Sequence, residues 1–230
     1  MASHPSSPGQ TSPSQPLSPA SAPLHRQPPQ PAVAPPTSLN DEPVFETLDD
    51  GTRAARLAAL RAAVPDAQWL TDREQITPYE CDGLAAYRKL PLAVVLPADE
   101  DQVCRILRAC HAQGVPVVPR GAGTGLSGGA MPITDGIVLS LARFKRILEV
   151  DAYARTATVQ PGVRNLAVSE AAAPYGLYYA PDPSSQIACT IGGNVSENSG
   201  GVHCLKYGLT VHNVLRVRAV TMDGEIVEFG

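Results

Sequence analysis

The hydrophobic pattern of the chain begins with a helical stripe. Leu57, Leu60 and Val64 recur at positions i, i+3 and i+7, which is the spacing of one face of a helix. Pro65 follows directly, and proline cannot continue a helix because it lacks a backbone N–H. The pattern therefore predicts an amphipathic helix from Thr52 to Val64.

Residues 92–118 are predicted to form a strand–helix–strand unit. The apolar runs Leu92–Leu96 and Val115–Val118 predict buried strands, and a crossover of this length predicts that they run parallel. Asp99 can cap the start of the connecting helix, and Gly114 is a typical helix end. The inner face of this helix consists of four apolar residues: Val103, Ile106, Leu107 and Cys110.

The hydrophobic pattern predicts further elements towards the end of the chain. Two strands and a helix are expected at Ile137–Leu141, Thr156–Gln160 and Asn165–Ala173. The strand-like runs Val214–Thr221 and Glu225–Phe229 flank Asp223-Gly224, a dipeptide that favours a two-residue hairpin turn.

The first 43 residues differ from the rest of the chain. They contain 12 of the 23 prolines and almost no large apolar side chains. Such a segment cannot bury enough surface to offset the entropy lost on ordering, so we expect residues 1–43 to be a disordered Pro/Ser-rich tail. The remainder is long enough for one well-filled core.

Charge and cysteine content exclude some classes of protein. A net charge of −4 at pH 7 argues against a nucleic-acid binder, which needs Lys and Arg to neutralise phosphates. No run of about 18 apolar residues is present, so we expect no membrane-spanning helix. The odd number of cysteines and the lack of a CxxC pair indicate reduced thiols in the cytoplasm and no metal site. These cysteines are Cys81, Cys104, Cys110, Cys189 and Cys204.

A glycine-rich loop follows the second strand of the predicted unit. Residues 121–129 contain five glycines together with Thr124 and Ser127, and Arg120 stands at the entrance. Glycine allows positive φ and lets successive N–H groups face an anion, so this composition predicts a phosphate cradle. A flexible surface loop or a tight connection between strands is the alternative.

The loop does not match two better-known phosphate loops. Gly123, Gly125 and Gly128 satisfy G-x-G-x-x-G, but a Rossmann loop needs a helix directly afterwards, and here the strand Ile137–Leu141 is the next element. A Walker A loop is excluded because no Gly-Lys-Ser/Thr sequence ends it.

A second polar segment lies about 60 residues further on. Pro181–Gly201 combines hydroxyls, amides and glycines with almost no charge. That composition suits hydrogen bonding to a large ligand such as a flavin dinucleotide. Two such loops in one domain are a stronger indication than either alone.

These two segments resemble the FAD-binding loops of a known family. Val117–Ala130 resembles the first FAD-diphosphate loop of the flavoproteins related to vanillyl-alcohol oxidase and p-cresol methylhydroxylase (PCMH). Pro181–Ser185, Thr190–Asn194 and Asn198–Gly201 resemble the second FAD segment of that family. Neither resemblance extends to residues 1–43.

Three further motifs narrow the resemblance. Tyr79–Gly83, Tyr87-Arg88 and His203–Gly208 are similar to segments of the FAD-linked D subunit of glycolate oxidase and of the related D-lactate dehydrogenases. The resemblance implies an α+β fold, namely a two-lobed PCMH-type FAD-binding domain at residues 87–230 after a helical extension at residues 44–86.

Members of this family continue beyond the equivalent of residue 230 with a third FAD-contacting segment and a substrate-binding cap. The resemblance therefore implies an N-terminal fragment whose FAD-binding domain is incomplete at its C-terminus. On this basis the catalytic residues are unknown and are expected beyond residue 230.

The resemblance also implies the cofactor and the residues that bind it. Some relatives attach FAD covalently through a histidine beside the first loop, but none lies between His111 and His203, so non-covalent FAD is expected. The implied FAD-binding residues are Pro119, Arg120, Gly121, Ala122, Gly123, Thr124, Gly125, Leu126, Ser127, Gly128, Gly129, Pro181, Asp182, Pro183, Ser184, Thr190, Ile191, Gly192, Gly193, Asn194, Asn198, Gly200 and Gly201.

The implied function is oxidation of a small 2-hydroxy acid, glycolate or D-lactate, by hydride transfer to FAD. Iron–sulfur and FAD-containing partner subunits of a glycolate oxidase complex are also implied. We expect a cytoplasmic protein that could lie peripherally on the inner membrane. One alternative is an inactive remnant that binds FAD weakly. A second is another enzyme with the same fold, either a different FAD-linked oxidase or a UDP-sugar-linked reductase. A third is an interaction protein that works through its Pro-rich tail.

Three residues in or near the second segment are candidates for further roles. His203 titrates near neutral pH and is a candidate for catalysis, although a structural role near the cofactor is the more frequent outcome. Asp182 is expected to form an Asx turn before Pro183. Lys206 could neutralise a phosphate or be solvated. We therefore assign no catalytic acid or base from the sequence.

Overall fold

The computed structural model describes residues 48–230, so the tail predicted at 1–43 lies outside the described residues. The helices are α1 (Asp50–Ala63), α2 (Arg73–Ile76), α3 (Glu100–Ala112), α4 (Asn165–Ala172), α5 (Ile191–Glu197) and α6 (Cys204–Tyr207). The strands are β1 (Gln68–Leu70), β2 (Ala93–Leu96), β3 (Val117–Arg120), β4 (Ile137–Ser140), β5 (Ile147–Asp151), β6 (Thr156–Val159), β7 (Val217–Val220) and β8 (Ile226–Phe229).

A four-stranded sheet with the order β1-β2-β4-β3 lies at the centre of the fold. β1 is antiparallel to β2, whereas β2, β4 and β3 are parallel to one another. The predicted strand–helix–strand unit is confirmed, but its two strands are not neighbours, because β4 lies between them. Two antiparallel pairs, β5–β6 and β7–β8, form separate sheets.

Both faces of this sheet are buried, which explains why the sequences of its strands are continuous runs of apolar residues. Ala93, Val95 and Ile137 pack with Leu60 of α1 and Ile106 of α3 on one face, and all five are fully buried. A smaller cluster of Ile76, Val94, Val118 and Val138 covers the other face. Each large apolar side chain buried in this way contributes about 1.5–3 kcal/mol.

The two predicted helices of the N-terminal half are confirmed, although α1 begins at Asp50, two residues before its predicted start at Thr52. In α3, the Asp99 carboxylate accepts a hydrogen bond from the Gln102 N–H at 2.9 Å, which satisfies one of the free donors of the first turn. Gly114 follows the helix with a φ of +62°, the left-handed conformation that favours glycine. The Asp49 carboxylate caps α1 in the same manner.

The segment 48–86 is part of the same core. Its helix α1 packs on α3 through Leu60 and Val64, and its strand β1 pairs with β2. The division that we drew between an extension at 44–86 and a domain at 87–230 stays a prediction.

The final hairpin differs from its prediction. β7 and β8 pair antiparallel as expected. The Thr221 N–H donates to the Glu225 carbonyl at 2.9 Å, so the loop between them holds three residues. The prediction of a two-residue loop is therefore wrong. Gly224 has a φ of +69°, as three-residue hairpin loops require at their last position. Arg108 of α3 donates to the Gly224 carbonyl at 2.8 Å and fixes this loop on the helix.

Five of these helices and strands are absent from the sequence prediction, namely β1, α2, β5, α5 and α6. β5 pairs with the predicted strand β6, and α5 forms within the segment that we expected to be loop. The other predicted elements, β4 and α4, are confirmed. Within residues 48–230, every helix is too short or too polar to cross a bilayer.

Candidate cofactor-binding site

The first glycine loop, defined here as Gly121–Ala130, presents donors that the protein leaves unused. Among the described residues, no backbone N–H of this loop donates a hydrogen bond to another protein group, while the adjacent Met131 N–H bonds the Gly128 carbonyl. A row of unpaired N–H groups in a glycine-rich turn is the arrangement that binds phosphate oxygens.

Glycine is required at two positions of this loop by its backbone conformation. Gly123 and Gly128 have φ values of +70° and +77°, where a side chain is strained. Gly125 lies outside that region. At this position the space for a side chain is small, because an added Cβ would lie 3.0 Å from the Glu197 carboxylate.

Arg120 occupies a position that the sequence did not suggest. We expected its charge at the loop entrance, but the side chain is turned inwards and only 9 % exposed. Its Nη1 donates to the carbonyls of Cys81 at 2.8 Å and Ala130 at 3.3 Å. Burial lowers the pKa of Arg120, although arginine stays protonated at any pH of interest. Direct contact of this residue with a phosphate stays a prediction.

The first glycine loop touches the second segment at the start of α5. A Cβ at Gly121 would collide with the Thr190 hydroxyl. Thr190 caps α5, because its Oγ1 accepts a hydrogen bond from the Gly193 N–H at 3.3 Å. The structure thus brings two of the predicted FAD-binding segments together, although they lie about 60 residues apart in sequence.

The second segment uses most of its polar groups within the protein. The N–H groups of Ile191 and Gly192 bond the carbonyls of Val163 and Pro161, each at 2.8 Å. The αL residue Asn198 ends α5, and its side chain accepts from the Val211 N–H at 3.0 Å. These contacts hold the second segment in place against the rest of the protein. Direct binding of the cofactor by this segment stays a prediction.

A buried amide relay connects α5 to its surroundings. Asn194 is 2 % exposed and donates to the Asn165 side chain at 2.9 Å, and Asn165 in turn donates to the Pro181 carbonyl at 2.9 Å. The relay fixes the position of the predicted FAD-binding residues that follow Pro181. Asn165 was not identified from the sequence, because an Asn within a helical pattern gives no sign that it is buried.

Asp182 pairs with His203. One carboxylate oxygen contacts the His203 ring Nδ1 at 2.6 Å, and the other accepts from the His203 backbone N–H at 3.2 Å. The hydrogen bond from the His203 ring holds the pKa of Asp182 below its ordinary value. Gly201 allows this contact, because a Cβ there would collide with Asp182.

A cavity of ≈ 320 Å³ opens beside this pair. It is lined in part by Gln186 and by Tyr178 and Tyr207, whose rings meet edge to face at 6.2 Å between centroids. The proximity of the two phenols raises the pKa of Tyr178 and, together with Lys206, lowers that of Tyr207. Lys206 lies 4.9 Å above the Tyr207 ring. The motif His203–Gly208 therefore lines a polar cavity next to the second segment.

Glu197 was missed by sequence analysis. It ends α5, and its carboxylate faces Gly125 and Gly129 of the first glycine loop, where an added Cβ would lie 3.0 Å and 2.9 Å from its Oε1. An acidic residue beside an anion cradle limits how deep a phosphate can enter. No local sequence pattern predicts this contact, because it arises where two segments distant in the chain meet.

Within residues 48–230 no group of three or more His, Cys, Asp or Glu side chains could hold a metal ion. A diphosphate does fit. The first glycine loop offers consecutive unpaired N–H donors, and two of its glycines adopt conformations in which a side chain is strained. The α+β fold and this loop together define a nucleotide-binding domain.

Comparison with known proteins identifies the nucleotide. Residues 91–230 match the family described as FAD binding domain. The match covers more than half of the chain, so the chain belongs to the FAD-binding domain family, and FAD is its cofactor. The solved structure of p-cresol methylhydroxylase with substrate bound superposes with a TM-score of 0.67 at 19 % identity, over 80 % of this chain and 36 % of that one. This similarity confirms the PCMH-type fold.

Two curated relatives are more similar in sequence. The glycolate oxidase subunit GlcD of Escherichia coli (strain K12) is 60 % identical over 192 residues, which are 84 % of this chain and 38 % of that protein. The D-lactate dehydrogenase of Archaeoglobus fulgidus is 43 % identical over 137 residues, which are 60 % of this chain and 30 % of that protein. The chain thus spans well under half of the length of these relatives.

Proposed function

We propose that this chain is the FAD-binding portion of a flavin-dependent oxidoreductase that oxidises a small 2-hydroxy acid, glycolate or D-lactate. The row of unpaired N–H groups in the first glycine loop carries the proposal, because such a row suits an anionic ligand. The substrate class is supported by similarity to a glycolate oxidase subunit and a D-lactate dehydrogenase.

In this proposal the chain binds and orients the cofactor. The loop N–H groups and the hydroxyls of Thr124 and Ser127 hold the diphosphate non-covalently. The contact between Gly121 and Thr190 fixes the loop against the second segment. Oxidation of a 2-hydroxy acid to a 2-oxo acid removes a hydride and a proton, and bound FAD supplies the hydride acceptor. We assign no residue of this chain as catalytic acid or base.

The proposal extends to partners and location. Similarity to a protein described as a subunit supports assembly with other subunits, and we propose iron–sulfur and FAD-containing partners. A cytoplasmic protein, peripheral to the inner membrane in such an assembly, accords with this function.

The cofactor-binding part is tested by a matched pair of glycine substitutions. Gly123→Ala forces a side chain into positive φ and against the Arg120 guanidinium. We expect FAD affinity, measured by quenching of flavin fluorescence, to fall about tenfold to hundredfold. Gly114→Ala is the control, since Gly114 has a similar φ of +62°, no atom within 4 Å of the added Cβ and a position outside the site. Equal FAD affinity in the two variants would contradict the assignment of the loop.

The substrate class is tested separately with a longer, FAD-loaded protein that includes the third FAD-contacting segment and the substrate-binding cap implied by the resemblance. Glycolate, D-lactate or L-lactate is added without oxygen, and the absorbance of the flavin is followed. Loss of absorbance with glycolate or D-lactate but not with L-lactate supports the proposal. Reduction by none of the three argues against this substrate class.

A further inference from the structure

The Glu197 side chain lies against the first glycine loop. A Cβ added at Gly125 would lie 3.0 Å from its Oε1, and a Cβ added at Gly129 would lie 2.9 Å from the same oxygen. At both positions the nearest atoms belong to Glu197. Neither glycine has a positive φ, so the backbone conformation does not demand glycine there. The two glycines instead leave the space in which the carboxylate lies.

The described part of the chain does not compensate the charge of Glu197. Among residues 48–230, its carboxylate has no Lys, Arg or His partner within 4 Å and accepts no hydrogen bond. Glu197 ends α5, where the partial negative charge of a helix end disfavours an acidic side chain. The side chain is exposed, so a ligand can reach it. Residues that break local preferences in this way are expected at functional sites.

The neighbouring loop restricts what this carboxylate can bind. The unpaired N–H groups of the first glycine loop suit phosphate oxygens, and a carboxylate beside them repels the same oxygens. An ionised carboxylate accepts hydrogen bonds and donates none, so its partner has to be a donor. FAD carries hydroxyl donors on both sides of its diphosphate, on the ribityl chain and on the ribose. In dinucleotide sites of the Rossmann fold an acidic side chain accepts from a ribose hydroxyl in this way.

We propose that Glu197 is a specificity-determining residue of the cofactor site, whose carboxylate accepts a hydrogen bond from a sugar hydroxyl next to the diphosphate. The inference rests on the proposed function in one respect, namely that the first glycine loop binds the diphosphate of FAD. Glu197 weakens the binding of a bare phosphate group and strengthens the binding of a phosphate that carries a hydroxylated sugar. The loop therefore selects a dinucleotide over an inorganic anion.

The test compares two ligands that share the diphosphate and differ in the sugar. FAD affinity is measured by quenching of flavin fluorescence on the longer protein of the substrate test, after removal of its FAD, and inorganic pyrophosphate is measured as a competitor. Glu197→Ala should bind pyrophosphate about fivefold more tightly, because a nearby negative charge is gone. It should bind FAD about threefold to thirtyfold more weakly, because a charge-assisted hydrogen bond is lost.

Two further variants control for charge and for fold. Glu197→Gln keeps an acceptor oxygen without the charge, so its pyrophosphate affinity should match that of Glu197→Ala while its FAD affinity lies between wild type and Glu197→Ala. Glu225→Ala removes the same charge from an exposed position in the hairpin loop that Arg108 fixes on α3. It should leave both affinities within about twofold of wild type.

ADP distinguishes the two sources of the hydroxyl, because it carries the ribose and lacks the ribityl chain. Weaker ADP binding by Glu197→Ala assigns the hydrogen bond to the ribose. Tighter ADP binding, as for pyrophosphate, together with weaker FAD binding assigns it to the ribityl chain.

The outcomes separate this inference from the proposed function. If Glu197→Ala binds FAD and pyrophosphate both more tightly, the carboxylate only repels the diphosphate, and the inference is overturned. Losses of both affinities, or no change in either, overturn it as well, because they reduce Glu197 to a support of the loop or to a bystander. In each of these cases FAD binding by the loop stands. Equal FAD affinity of the Gly123→Ala and Gly114→Ala proteins removes the loop itself from the cofactor site.

Discussion

The carboxylate of Asp182 holds His203 at two points, the ring and the backbone. This double contact fixes the imidazole with its Nδ1 towards Asp182 and leaves Nε2 directed elsewhere. A carboxyl group with a lowered folded-state pKa contributes stability above its unfolded pKa, and this contribution is lost as the pH falls through the folded pKa. The contact is therefore intact at neutral pH, and its contribution is lost as the pH falls from the ordinary pKa of an aspartate towards the lowered pKa of Asp182.

We predict that His203→Ala raises the pKa of Asp182 towards its ordinary value. The physical reason is that the ring hydrogen bond is the largest contribution to the lowered pKa. The measurement is a pH titration of the Asp182 side-chain carboxyl carbon by NMR. His212→Ala serves as control, because the His212 ring accepts from the Leu209 N–H and does not contact Asp182. An Asp182 pKa that is the same in wild type and His203→Ala would refute the prediction.

At the scale of elements, α5 forms despite two glycines in its first turn. Glycine costs about 1 kcal/mol relative to alanine within a helix, so local preference opposes this helix. Contacts at both ends and in the middle of α5 compensate for this cost. Thr190 caps the start of the helix, and Asn198 ends it in the left-handed conformation. Asn194 donates a hydrogen bond to the buried Asn165 side chain. A Cβ at Gly192 would lie 2.7 Å from the Pro161 side chain, so a larger residue there would push the helix away.

We predict that Asn194→Ala lowers the free energy of unfolding by about 2 kcal/mol, because the Asn165 side-chain oxygen would lose its buried donor. Urea denaturation measures the change. Ser196→Ala on the same helix is the control, since Ser196 is exposed and bonds only the Gly192 carbonyl of its own helix. Its effect should stay within about 0.5 kcal/mol. Similar losses in both proteins would show that the relay is not a stabilising contact.

For the molecule as a whole, the core determines which thiols can react. All five cysteines are free; Cys104, Cys110 and Cys189 are buried, and Cys81 and Cys204 are partly exposed. Burial raises the pKa of the Cys110 thiol to about 12. Only a thiolate attacks a disulfide reagent, so buried thiols are protected both by their pKa and by lack of access.

We predict that two of the five thiols react rapidly with a disulfide reagent at about pH 8 and that the other three react only after denaturation. Absorbance of the released reagent gives the number of reacting groups. Cys204→Ser should remove one rapid thiol, whereas Cys189→Ser should leave the rapid number unchanged. More than two rapid thiols in the folded protein would mean that the core is open.

Much of the fold could be predicted because its elements carry local signals. The stripe Leu57–Val64 and the capped helix from Asp99 to Gly114 are periodic patterns with clear ends, and both are confirmed. The candidate site was found through its glycines, since a dense glycine run is rare outside tight ligand loops. The strand β5 and the helix α5 were missed because pairing and packing, rather than propensity, stabilise them.

The sequence by itself determined the α+β class, the phosphate-cradle composition of the first glycine loop and, through resemblance, the FAD-binding family. These properties depend on residues that are close together in the chain or on short sequence motifs. The tertiary structure alone decided that β4 lies between β2 and β3, and that Asp182 meets His203. It also decided that Arg120 is withdrawn beneath the loop, where its guanidinium lies over the Tyr79 ring and bonds the Cys81 carbonyl. Such contacts join residues that are far apart in the chain, 39 positions for Arg120 and Cys81 and 116 positions for Arg108 and Gly224, and no local pattern encodes them.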